Sequence, residues 1–158
     1  MTKPIGIPAE RERVQPVASE FLQPLLADLT ALALNGKQAH WHVTGPQFLP
    51  VHEQLDALVS DVRSWTDMVA ERAITLGVPV DGRPETVAAT TKVQSVAEGW
   101  LPADKAVAAM VDELRGVIER TRAGLDRLGE LDLVTQDLVV EILRGLEKHL
   151  WMFQAQLT

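Results

Sequence analysis

Four side chains between His52 and Glu71 stand at helical spacing for chelation: His52 with Asp56, and Asp67 with Glu71. A separation of four residues sets two side chains over the same patch of a helix, as a chelating pair requires. Asp56 and Asp67, however, lie 11 residues apart, which is roughly 16 Å along a helix at 1.5 Å per residue. One helix therefore cannot wrap both pairs around one ion. A two-fold axis crossing near Asp61–Val62 would set each pair against the opposite pair of a second copy, because the constellation is centred there. His40 precedes the Gly45-Pro46 turn and so reaches the same end of this helix as His52. The expected composite site combines His40, His52 and Asp56 of one chain with Asp67 and Glu71 of another. Two imidazoles and several carboxylates suit a first-row metal cycling between Fe(II) and Fe(III).

Isolated acidic residues on a helix are usually solvated, and Asp67–Arg63 or Glu71–Arg72 could be ordinary surface charge. Five residues on one face, His52, Asp56, Arg63, Asp67 and Glu71, arranged about one point, call for more than that. His42 and His149 do not join the geometry and are expected to be structural. Di-iron bundles with a site inside one chain use Glu-x-x-His pairs. Here the residues three before the histidines are Lys37, Ala39, Leu49 and Leu146, which argues against such a site.

Four helical segments must position these residues. Leu22, Leu25, Leu26, Leu29 and Leu32 start the first, which runs towards His40, with Pro24 marking its start or a kink. The second runs from about Phe48 to Leu76 and buries Val51, Leu55, Leu58, Val62, Trp65 and Val69. Its face with Glu53, Gln54, Ala57, Asp61, Ser64, Met68 and Arg72 is expected to meet solvent. A loose connection over 78–101 follows, with a possible short helix around Glu85–Thr90, long enough to run the length of a bundle. The third helix begins after Pro102, with Asp104 in its first turn, and is expected to break at Gly129. The last, Leu133 to Phe153, carries Leu138, Ile142, Leu146, Leu150 and Phe153 on one face. No strand alternation is visible. The fold class is all-α: a four-helix bundle with a long crossover between helices two and three.

The 158 residues make a single domain, 1–158, with residues 1–17 expected to form a flexible arm. No charged-then-apolar leader opens the sequence, and no uninterrupted apolar run approaches the roughly 18 residues that span a bilayer. A cytoplasmic protein with no membrane partner is expected. With no cysteine, disulfides, zinc-thiolate sites, iron–sulfur clusters and thiol catalysis are excluded. The net charge of −7 argues against a broad nucleic-acid surface.

The run Lys37-Gln38-Ala39-His40-Trp41-His42-Val43, then Gly45-Pro46-Gln47-Phe48, His52, Asp56 and Asp67-Met68-Val69-Ala70-Glu71-Arg72, closely resembles the Dps family of mini-ferritins, the DNA-binding proteins from starved cells. Glu147-Lys148-His149-Leu150-Trp151-Met152 resembles that family's last helix. The resemblance implies a ferritin-like bundle assembled into a hollow homo-dodecamer. It implies intersubunit ferroxidase ligands at His40, His52, Asp56, Asp67 and Glu71. It also implies oxidation of Fe(II), preferably by hydrogen peroxide, with ferric mineral stored inside. Trp41 falls where the family has an aromatic near the site, and a packing role is expected for it. Asp132, Asp137 and Glu141 resemble the acidic lining of an iron-entry pore at the three-fold axis. The alternative function is a nucleoid protein that coats DNA. Against it, the N-terminal cations Lys3, Arg11 and Arg13 are interleaved with Glu10 and Glu12, and no basic extension follows the last helix. Weak or absent DNA binding is expected.

Overall fold

The computed structural model describes residues 11–157, with side chains described from Val14 onward. Lys3 and Glu10 of the N-terminal arm lie outside the described residues. The first segment is one unbroken rod: α1 (Arg11–Pro16), a π-turn (Val17–Leu22) and α2 (Gln23–His42). The arm therefore gives way to helix at Arg11 rather than after residue 17. Pro24 neither starts the rod nor breaks it. Proline cannot donate to the carbonyl four residues back and its ring crowds that group, and the wider π-turn immediately before it relieves both.

Gly45, at φ 104°, turns the chain after the short strand β1 (Val43–Thr44), and α3 (Phe48–Thr75) begins at once. At 28 residues α3 is about 42 Å long. It closes in a Schellman arrangement, with the Gly77 amide donating to the Ile74 carbonyl and the Val78 amide to that of Ala73. Gly77 adopts φ 82° there. The helices α2 and α3 pack along one another, and Gly36 allows their close approach, since a Cβ on it would stand 2.7 Å from Val59 Cγ2.

From the far end of α3 the chain returns along the bundle through α4 (Pro84–Thr90), where the short helix was expected. The return is not loose. Gln23 exchanges two hydrogen bonds with the Asp81 backbone, at 2.9 and 2.8 Å. Asp28 accepts from the Thr91 hydroxyl and the Lys92 amide, both at 2.8 Å. Asn35 donates to the Gln94 carbonyl at 2.6 Å. Three polar residues of α2 thus pin the crossover. It ends in β2 (Leu101–Pro102), paired in parallel with β1, Val43 opposite Leu101. This two-residue ladder was not foreseen, being too short for any alternation to mark it.

Next come α5 (Ala103–Ala123), α6 (Leu125–Leu131) and α7 (Leu133–Gln154). The break falls at Gly124 rather than Gly129, which lies inside α6. A Cβ at Gly124 would meet Phe21 Cε1 at 2.5 Å, so the first rod packs directly against the break. The buried face of α7 is Thr135, Val139, Ile142, Leu143, Leu146, His149 and Phe153, while Leu138 and Leu150 are half-buried at its margin. Leu29, Leu32, Leu55, Leu58, Met110, Leu114, Ile142, Leu146 and Phe153 form the centre of the core between the four long helices. The helical span Val14–His42 is long and apolar enough to cross a membrane by length and composition, contrary to the reading from uninterrupted runs; 56% of its apolar window is packed inside the bundle.

Candidate metal centre

His40 closes α2 and His52 opens α3, and the short turn between them brings their rings into a stack, centroids 3.6 Å apart and planes 21° apart. Each Nδ1 lies against the other residue's backbone carbonyl, His40 to His52 at 3.0 Å and His52 to His40 at 2.9 Å. A carbonyl oxygen can only accept, so each Nδ1 carries the proton and donates. The ring lone pair free to meet a cation is then on Nε2 in both residues. Asp56, one turn along α3 from His52, completes a trio whose ligating atoms all lie within 4.8 Å of one another. His40 is buried, His52 half-buried and Asp56 exposed, so the trio opens outward from the bundle.

Lys37, one turn before His40 on α2, pairs with Asp56 Oδ1. That hydrogen bond, with the positive fields of Lys37, His40 and His52, outweighs desolvation and holds the Asp56 carboxyl below its ordinary value. Asp56 is therefore a full anion at neutral pH, already countered by a cation that a metal must displace. The sequence pattern did not single out Lys37 as part of the site, although its place three residues before His40 was the available signal.

Asp67 and Glu71 are exposed on α3 and do not join the trio within one chain, as their distance along the helix requires. Asp132 caps α7, accepting from the Val134 amide at 3.3 Å and from Arg72 Nη2 at 2.6 Å, and from the Thr135 hydroxyl. Burial raises its carboxyl, but the Thr135 and Arg72 hydrogen bonds, the Arg72 charge and the amide together keep it below its ordinary value. Arg72, expected on the solvent face, is thus half-buried and ties α3 to α7. Asp137 and Glu141 are exposed one turn apart on α7.

His149 is buried and its Nε2 lies 2.8 Å from Oδ2 of Asp61, which stays exposed on the solvent face as expected. His42 Nδ1 donates to the Gln38 carbonyl at 2.9 Å. Trp41 is 63% exposed and faces away from its own chain's core, so any packing partner for it lies outside the described chain.

The ferritin-like domain family matches residues 19–158. The DNA protection during starvation protein of Mycolicibacterium smegmatis is 37% identical over 96% of this chain and 82% of its own length. The fine tangled pili major subunit of Haemophilus ducreyi is 39% identical over 88% of this chain and 74% of its own. Among solved structures, Dps from Microbacterium arborescens in the high iron form superposes with a TM-score of 0.89 at 37% identity, covering 94% of this chain and 97% of that one. Four long helices with a pinned crossover, a His-His-Asp trio at one end and these similarities have one common reading: the chain belongs to the ferritin-like family and, within it, to the Dps proteins.

Proposed function

We propose that this protein oxidises Fe(II), with hydrogen peroxide as its preferred oxidant, at sites shared between two copies of the chain. The ferric product is stored inside a hollow twelve-subunit shell in the cytoplasm, and DNA is protected by removal of the reagents that damage it. The observation that carries this reading is the trio of His40, His52 and Asp56, whose ligating atoms lie within 4.8 Å of one another, with each Nδ1 spent on a backbone carbonyl. Asp67 and Glu71 remain exposed on the same helix for a second copy's trio. Each of the five residues acts as a ligand to substrate iron. Two Fe(II) ions supply the two electrons that reduce one peroxide to water, two protons being taken up, so hydroxyl radical is not released. Asp137 and Glu141 line the entry route, with Asp132 at the helix start supporting it.

Mixed shells test the shared site. Chains carrying His52→Ala and chains carrying Asp67→Ala each lack one ligand at every interface. Where the two kinds meet, one of the two sites at their interface is doubly damaged and the other is whole. Coassembled shells, verified by mass, should oxidise Fe(II) with peroxide faster than either variant alone. Mixtures no faster than the single variants would sink the intersubunit assignment.

A further inference from the structure

A cavity of about 380 Å³ lies where the π-turn passes α5, α7 and the crossover. Phe21, Leu25, Leu128 and Val139 give it apolar walls, and Lys92 and Arg120 stand on its lining. The volume is within the range of small-molecule sites, and at roughly 30 Å³ per water-sized group it holds about a dozen non-hydrogen atoms. The π-turn supplies Ser19, Glu20 and Phe21 to the lining, and such turns recur at functional sites in helices.

Two anions and two cations stand on the lining, and Arg127, from outside it, pairs with one of the anions. Asp28 spends Oδ2 on Arg120, whose Nε and Nη2 approach at 2.9 and 2.8 Å, and Oδ1 on Thr91 and the Lys92 amide. Glu20 is paired with Arg127 at 2.9 Å. Both carboxylates are therefore neutralised, while among the described residues the Lys92 ammonium has no carboxylate partner and Arg120 Nη1 makes no hydrogen bond. One surplus positive charge borders an apolar cavity in a chain whose net charge is −7. An apolar body with one anionic end is the ligand that such a site complements.

We propose that this cavity binds a small amphiphile, a short aliphatic chain ending in a carboxylate. The chain lies against Phe21, Leu25, Leu128 and Val139, and the head group meets Lys92 and Arg120. This site is independent of the iron reading, and the two fail separately.

Titration calorimetry of the assembled protein with octanoate, and with octanol as its uncharged counterpart, tests it. Octanoate should bind once per chain and more tightly than octanol. Lys92→Gln, a change at an exposed position, should weaken octanoate by about three- to tenfold and leave octanol unchanged, as expected for one half-screened charge pair. Thr121→Trp, in shells shown intact by mass, should abolish both by filling the cavity. Octanoate failing to bind, binding no better than octanol, ignoring Lys92→Gln, or binding undiminished to intact Thr121→Trp shells would each overturn the proposal.

Discussion

Lys37 stands between Asp56 and any cation that approaches His40 and His52. At neutral pH an aspartate needs no help to ionise, so the main effect of Lys37 there is competition for the carboxylate. Lys37→Met should raise the affinity for Co(II), used as a redox-silent probe, by a few-fold, since the metal no longer has to displace a cation from an exposed carboxylate. Unchanged Co(II) affinity by calorimetry would show that the lysine yields at no cost. Glu113 on α5 presents the opposite situation. Burial pushes its carboxyl up to about 8 despite a hydrogen bond from Asn35, and its Oε2 is buried without a partner. The folded state therefore holds this proton more tightly than the unfolded chain, where the ordinary value is near 4.5. The stability linked to it is fully present below that lower value and is lost as pH rises towards about 8, amounting to roughly 3 kcal/mol by pH 7. Glu113→Gln should flatten the fall in denaturation midpoint between pH 5 and pH 8. A variant whose midpoint tracks the parent across that range would refute the assignment.

At the scale of elements, the crossover is the least regular part of the bundle and the most dependent on single side chains. Asp28 is buried and ties α2 to the segment after α4 and to α5 through Arg120. Asp28→Ala leaves Arg120, itself 39% exposed along its side chain, without its anion, and orphans the Lys92 amide. The partial exposure of the arginine tempers the loss expected for a fully buried pair, to about 2 kcal/mol. The same change should speed amide hydrogen exchange at Lys92 and Val93 before it affects the middle of α3. Uniform acceleration along the chain would mean that the crossover does not open on its own.

For the whole molecule, exposed Trp41, Leu49, Leu133, Val134 and Trp151 are apolar surface that an assembly would cover. In the proposed shell, replacing Asp137 by Asn together with Glu141 by Gln should slow Fe(II) uptake at low ionic strength and spare metal binding at the trio. The deficit should shrink at high salt, where steering is screened in the parent too. An unchanged uptake rate at low salt would count against the pore. Twelve copies at −7 each carry a formal −84, so phosphate contact should be weak and strongly salt-dependent. Gel shifts with iron-free protein and a chelator, at physiological salt, should show no stable complex with duplex DNA. A submicromolar complex that disappears on deleting residues 1–13 would reveal a working DNA arm.

Local sequence alone determined much of this. The apolar spacing of α3 placed that helix from Phe48 and marked Val51, Leu55, Leu58, Val62 and Val69 as core, because 3.6-residue periodicity and burial are the same fact seen twice. The four-residue step from His52 to Asp56, with His40 just across a Gly-Pro turn, was enough to bring the trio together, since turn and helix geometry are local. What stayed hidden depends on partners distant in the chain. Nothing local marks Asp28, Asn35 and Gln23, whose partners in the crossover lie 58 to 64 residues later. Arg72 looked solvated because its partners, Asp132 and Thr135, lie at the start of α7. The helix break at Gly124, against which the Phe21 ring packs, was likewise not marked by any local pattern. A hydrogen bond or a close contact between remote segments leaves no periodic trace in either, so only the tertiary fold could decide these.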